Sequence, residues 1–144
     1  MKIAIQKLTN TAILPQRMTE QSSGFDLFAD ILESVNLEPY QRKAIPCGIA
    51  VEIPIGYEAQ IRPRSGLSLG SGLSVLNSPG TIDSDYRGEI KVILINLSDQ
   101  AMIIEPQMRI AQMVFCPIVI PELCETSILN QSKRQEGGFG HTGK

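Results

Sequence analysis

The chain has 144 residues, 42% of them hydrophobic, enough for one core of ordinary size and too few for a second domain. Its formal net charge of -2 and pI near 5.4 give no broad positive field to hold a nucleic-acid backbone or an anionic membrane, so any phosphate site must be local. A single histidine, His141, and three dispersed cysteines, Cys47, Cys116 and Cys124, exclude a multi-histidine metal site within one chain and a complete disulfide framework.

In chain order, the start Met1-Lys2-Ile3-Ala4-Ile5-Gln6-Lys7 breaks its apolar run too early for a signal peptide. No later stretch approaches a membrane span, and a cytoplasmic protein with reduced, packed cysteines is expected. Apolar runs of strand length then recur between turn residues: Ile3 to Leu8, Phe25 to Ala29, Cys47 to Ile53, Tyr57 to Ile61, Glu89 to Leu97, Ala101 to Glu105 and Arg109 to Ile120. That spacing predicts an antiparallel all-β sandwich or barrel. Within the fifth run, Ile93-Leu94-Ile95 is apolar on both faces, as in a strand buried on both sides or at a subunit contact. One short helix is expected, opened by Pro63-Arg64-Ser65-Gly66-Leu67-Ser68-Leu69. From about Ser127 the apolar periodicity is lost, which divides the chain into a β domain over 1–126 and a flexible arm over 127–144.

Three segments carry possible chemistry. Around Arg64, Ser65 and Gly66 a strand hands over to a helix, and free N–H groups beside an arginine make an anion site. Alone, the segment fits a capped surface helix with a solvated arginine just as well. The stretch from Leu76 to Glu89 has turn chemistry at both ends and reads as a hairpin carrying Asp83 and Tyr86. A carboxylate there can orient and deprotonate water and an aromatic face can pack on a sugar or base, although an ordinary turn with a half-buried tyrosine has the same composition. The tail joins Lys133 and Arg134 to glycines, Phe139 and Thr142, groups that suit either a disordered end or a lid over a polyphosphate.

Taken in order, Gly24-Phe25-Asp26-Leu27, Pro63-Arg64-Ser65-Gly66-Leu67, Gly80-Thr81-Ile82-Asp83-Ser84-Asp85-Tyr86-Arg87-Gly88, Arg109-Ile110-Ala111-Gln112 and Arg134-Gln135-Glu136-Gly137-Gly138-Phe139-Gly140 resemble the five motifs of the trimeric dUTP pyrophosphatases, or dUTPases. The second and third are the specific ones. The resemblance implies a distorted β jelly roll with one short helix, assembled as a homotrimer whose active sites each draw on all three chains, with the arm closing over a neighbour's site. It implies hydrolysis of dUTP to dUMP and pyrophosphate, limiting uracil in DNA and supplying dUMP for thymidylate synthesis.

By the same resemblance Asp83 holds the water that attacks the α-phosphorus, Tyr86 packs on the deoxyribose and leaves no space for a 2′-hydroxyl, and Asn77 with backbone groups reads uracil. Arg64, Ser65, Gly66, Gln112, Arg134 and Thr142 contact phosphates, Phe139 stacks over the base, and Lys91, Gly140 and His141 complete the substrate contacts. Asp26 reaches a Mg²⁺ through water, the ion being held mainly by the triphosphate. Uracil offers two carbonyl acceptors around an N–H donor, and a site built for that pattern leaves groups unpaired against cytosine. Two positions depart from the family's tail: Gln135 stands where a glycine is usual and His141 where a serine is usual. Loss of the glycine restricts bending, while His141 either donates to a terminal phosphate or points into solvent.

Two other functions compete. The related dCTP deaminases use a glutamate in the strand after the third motif, and the matching residue here is Ile93, which cannot shuttle a proton. A non-catalytic nucleotide sensor on the same scaffold is disfavoured by the retention of Asp83 and the arm.

Overall fold

A computed structural model of the chain describes residues 1–137. Eleven strands and one helix follow in chain order: β1 (Ala4–Lys7), β2 (Phe25–Phe28), β3 (Val35–Leu37), β4 (Arg42–Pro46), β5 (Ile49–Glu52), β6 (Tyr57–Arg62), α1 (Ser65–Ser71), β7 (Leu73–Val75), β8 (Gly80–Ile82), β9 (Lys91–Asn96), β10 (Met102–Ile104) and β11 (Arg109–Pro117). The expected all-β architecture with one short helix is therefore observed. Two antiparallel sheets dominate, one ordered β2-β11-β6-β8 and the other β4-β9-β7, with the ribbons β1-β5 and β3-β10 beside them.

Alternation builds the core. Ala59 and Ile61 of β6, Val92 and Leu94 of β9, and Ile110, Ala111 and Met113 of β11 join Leu27, Leu37, Ile45, Ile49, Leu73 and Ile90 in one buried cluster that draws on both main sheets. Ile93 does not share this burial: it faces outward while Val92, Leu94 and Asn96 point inward, so the strand is not buried on both faces within the chain. Asn96 is fully buried and satisfied, its Nδ2 donating to the Leu37 carbonyl at 2.9 Å and the Gln100 carbonyl at 2.7 Å, and its Oδ1 accepting from Ser98 N and Oγ.

The structure corrects several boundaries. Strands β3, β7 and β8 have three residues each, too short to show alternation, and β4 reads Arg-Lys-Ala-Ile-Pro, the charged, proline-ended composition of an edge strand paired on one side only. The last apolar run stops at Pro117, and Val119 and Ile120 beyond it are exposed. Leu76 to Glu89 is not a hairpin. Its two flanking strands bond to different sheets, β7 to β9 and β8 to β6, so the segment turns a corner between sheets through a cis Ser78-Pro79 bond. Of the cysteines, Cys47 is buried and Cys116 half-buried, but Cys124 is exposed and packs nothing.

Candidate functional site

Register in the larger sheet gathers one group of site residues. Gln112 of β11 lies opposite Asp26 of β2 on one side and Arg62 of β6 on the other, which sets Asp26 and Gln112 beside the start of α1. Gln112 Nε2 donates to the Pro63 carbonyl at 3.0 Å and fastens the strand-to-helix turn. Gly24 makes that approach possible, since a Cβ there would stand 2.2 Å from Gln112 Oε1. Asp26 is buried, and its Oδ2 is held by Arg64 Nε at 3.3 Å and Arg109 Nη1 at 3.2 Å. Arg64 Nη1 also donates to the Arg109 carbonyl at 3.0 Å.

Arg64 is the extended residue that caps α1, and Ser65 and Gly66 open its first turn, where N–H groups have no acceptor inside the helix. Together these residues line an open cleft of about 330 Å³ with Met18, Ser22, Ser23, Gly24, Asp26 and Gln112. The expected anion site is thus assembled, with two arginines and one buried carboxylate at its floor.

A second cleft of about 300 Å³ lies between the corner segment and β9, lined by Ala44, Thr81, Ile82, Asp83, Tyr86, Glu89, Lys91 and Ile93. The Tyr86 N–H donates to the Asp83 carbonyl at 3.2 Å, closing a turn that sets the exposed Asp83 beside the exposed tyrosine ring. Lys91 Nζ stands 3.4 Å from Glu89 Oε2 at the rim. The apolar Ile93 occupies the wall where a proton-shuttling residue would be needed for deamination.

The two clefts share no lining residue. Asn77 is exposed and lines neither of them, with its side-chain amide close to Gly80. Arg134 also stays outside both, its Nε donating to the Gly137 carbonyl at 2.6 Å. Gln135 takes φ 45°, a left-handed conformation that glycine adopts without cost, so the departure from glycine is accommodated at some strain. Phe139, Gly140, His141 and Thr142 lie outside the described residues.

Sequence reasoning passed over Met18, Ser22, Ser23, Arg109 as a partner of Asp26, and Glu89 at the second cleft. The first three sit in a turn-rich stretch without periodicity, where only the cross-strand register could reveal them. Arg109 was visible as a charge opening an apolar run, which a sequence cannot distinguish from ordinary strand chemistry.

Fold and clefts together define an all-β protein that offers a cationic, amide-lined pocket for a polyanion and a separate pocket with a carboxylate beside an aromatic ring. A family model described as dUTPase matches residues 10–143. Two relatives named deoxyuridine 5′-triphosphate nucleotidohydrolase are similar over their whole length, one from Hydrogenobaculum sp. at 56% identity covering 99% of both chains and one from Nautilia profundicola at 52% identity covering 100% of both. Among solved structures, the dUTPase of Staphylococcus bacteriophage 80alpha with dUpNHpp superposes with a TM-score of 0.90 at 29% identity, covering 99% of each chain. A variant dUTPase from phage phi11 of S. aureus, described with a structural Mg(II) ion, superposes with a TM-score of 0.82 at 25% identity, covering 91% of this chain and all of that one. The chain belongs to the dUTPase family.

Proposed function

We propose that this protein hydrolyses dUTP to dUMP and pyrophosphate in the cytoplasm, limiting uracil incorporation into DNA and supplying dUMP for thymidylate synthesis. The observation that carries the reading is the turn that sets Asp83 beside Tyr86 in an open cleft, within a chain that matches the dUTPase family along nearly its whole length. Asp83 orients and deprotonates the attacking water, and Tyr86 covers the deoxyribose. Arg64, the amides of Ser65 and Gly66, and Gln112 take the phosphates, and a Cβ at Gly66 would meet nothing within 4 Å, so that cleft is open to a ligand. Asn77 and Lys91 flank the base and sugar, and Arg134, Phe139, Gly140, His141 and Thr142 of the arm close over them.

The donor set fits a magnesium ion that arrives on the substrate. Among the described residues no three His, Cys, Asp or Glu side chains are placed to hold an ion. Asp26 is the single carboxylate of the phosphate-side cleft; both arginines take its Oδ2, so Oδ1 is the oxygen left to reach an ion through water. When bound, the ion draws negative charge off the triphosphate and favours attack at the α-phosphorus. Arg64 and Gln112 orient the chain of phosphates, and closure of the arm excludes bulk water.

The division of the site between two separate clefts, with Arg134 in neither, supports a homotrimer in which neighbouring subunits complete each active site. The direct test is pyrophosphate release from dUTP, dCTP, UTP and dTTP with and without Mg²⁺. Turnover confined to dUTP and dependent on the ion is expected. Ammonia release from dCTP would replace this reading with deamination, and tight binding without turnover would replace it with a sensor.

A further inference from the structure

Tyr86 lies on the corner segment between β8 and β9, outside any strand, and is 43% exposed. An exposed tyrosine in such a place ordinarily visits several rotamers, and a ring that swings cannot exclude one hydroxyl group. Here two contacts from the residues just beyond it hold the ring. A Cβ at Gly88 would stand 2.4 Å from Tyr86 Oη, 2.5 Å from Cζ and 3.0 Å from Cε2, so the ring rests against backbone at a distance only a hydrogen permits. Tyr86 Oη in turn donates to the Glu89 carbonyl at 3.0 Å.

That carbonyl is itself anchored. Ile90, the next residue, is fully buried; its N–H donates to the Ile49 carbonyl at 2.8 Å and its carbonyl accepts from Cys47 N at 3.0 Å. The Glu89 carboxylate accepts from Gly48 N at 3.1 Å and faces Lys91 Nζ at 3.4 Å. The ring is therefore tied through Glu89 to the backbone around β5 in the core.

We propose that Gly88 and Glu89 are positioning residues that lock Tyr86 against the backbone and thereby set the preference for deoxyribose over ribose. The proposal rests on the reading of Tyr86 as the group that occupies the space of a 2′-hydroxyl. Gly88→Ala forces the ring outward, because the Cζ contact must open from 2.5 Å to an ordinary separation. Tyr86→Phe keeps the ring's bulk and removes only the tie to Glu89.

The test measures kcat and KM for dUTP and for UTP in the wild type and in Gly88→Ala, Tyr86→Phe and Tyr86→Ala. Gly88→Ala is expected to lower the ratio of kcat/KM for dUTP over UTP about 10-fold, about the discrimination that one small steric feature supplies. Tyr86→Phe is expected to lower it about threefold, near the net worth of one hydrogen bond. A role in folding alone would reduce both substrates equally, and an unchanged ratio in a folded Gly88→Ala protein overturns the proposal. If Gly88→Ala does not fold, Tyr86→Phe decides, an unchanged ratio again being the overturning result. Tyr86→Ala separates the two levels: if it too leaves the ratio unchanged, the sugar is read elsewhere and the underlying reading fails, whereas a ratio lost in Tyr86→Ala alone removes only the locking role.

Discussion

Replacing Arg64 by alanine separates what the guanidinium does for the fold from what it does for a substrate. Arg64 has five N–H donors, of which Nε faces Asp26 Oδ2 at 3.3 Å and one on Nη1 reaches the Arg109 carbonyl at 3.0 Å, so the remainder is free to face the cleft. The cost to folding is small because Asp26 keeps Arg109 Nη1 at 3.2 Å and is not left as an unpaired buried charge. One charge-assisted bond lost is worth about 1.5 kcal/mol, and part of it returns through water.

The cost to catalysis is larger. Each hydrogen bond from the fork to a phosphate contributes about 1.5 to 3 kcal/mol, which lowers kcat/KM for dUTP roughly 10- to 150-fold when it is lost. Arg64→Lys keeps the charge but not the planar fork and is expected to recover only part of that loss. Pyrophosphate release gives kcat/KM, and urea denaturation of the same proteins gives the stability change. A kcat/KM for Arg64→Ala within about threefold of the wild type, with the protein folded, would falsify the phosphate role. Full recovery in Arg64→Lys would show that charge alone is used.

Four further outcomes are expected. Asp83→Asn should bind dUTP with near-normal affinity and lose most turnover; near-normal turnover removes Asp83 from the mechanism. Co-refolding Asp83→Asn, arm intact, with a chain ending at Asn130 should restore about a quarter of the sites if neighbouring subunits complete one another, and persistent inactivity in confirmed mixed trimers excludes that arrangement. Asn96→Leu leaves the Leu37 and Gln100 carbonyls and the Ser98 donors without their partner and should cost at least about 2 kcal/mol in urea denaturation, a cost below about 0.5 kcal/mol contradicting the network. Burial, then Glu89 and Asp30, push the Cys47 thiol from its ordinary 9.0 to about 12, so the folded chain keeps a proton that the unfolded chain releases. Its stabilising effect is full below about pH 9 and is lost toward pH 12, and wild type should lose stability more steeply than Cys47→Ala over that window; parallel curves would refute the assignment.

The strongest local signals in the chain were read without coordinates. Alternation in Tyr57-Glu58-Ala59-Gln60-Ile61 marks β6 because a strand with one buried face must alternate, and Pro63-Arg64-Ser65-Gly66 marks the start of α1 because those residue types suit a strand-to-helix turn. Ordered motifs carried the family and, with it, Asp83, Arg64 and Gln112. Strands β3, β7 and β8 stayed hidden because three residues hold no period, and the corner at Leu76 to Glu89 was taken for a hairpin because turn residues report a change of direction and not the partner of the strand that follows.

Sequence by itself determined the class of fold, the family and the chemical types of the site residues, since periodicity and motif order are properties of neighbours along the chain. Only the tertiary structure decided that Gln112 faces Asp26, that Arg109 shares Asp26 with Arg64, that the site residues fall into two separate clefts, and that Gly88 and the Glu89 carbonyl hold Tyr86. Those facts depend on strand register and on how the sheets meet, which are set by packing among residues far apart in the chain.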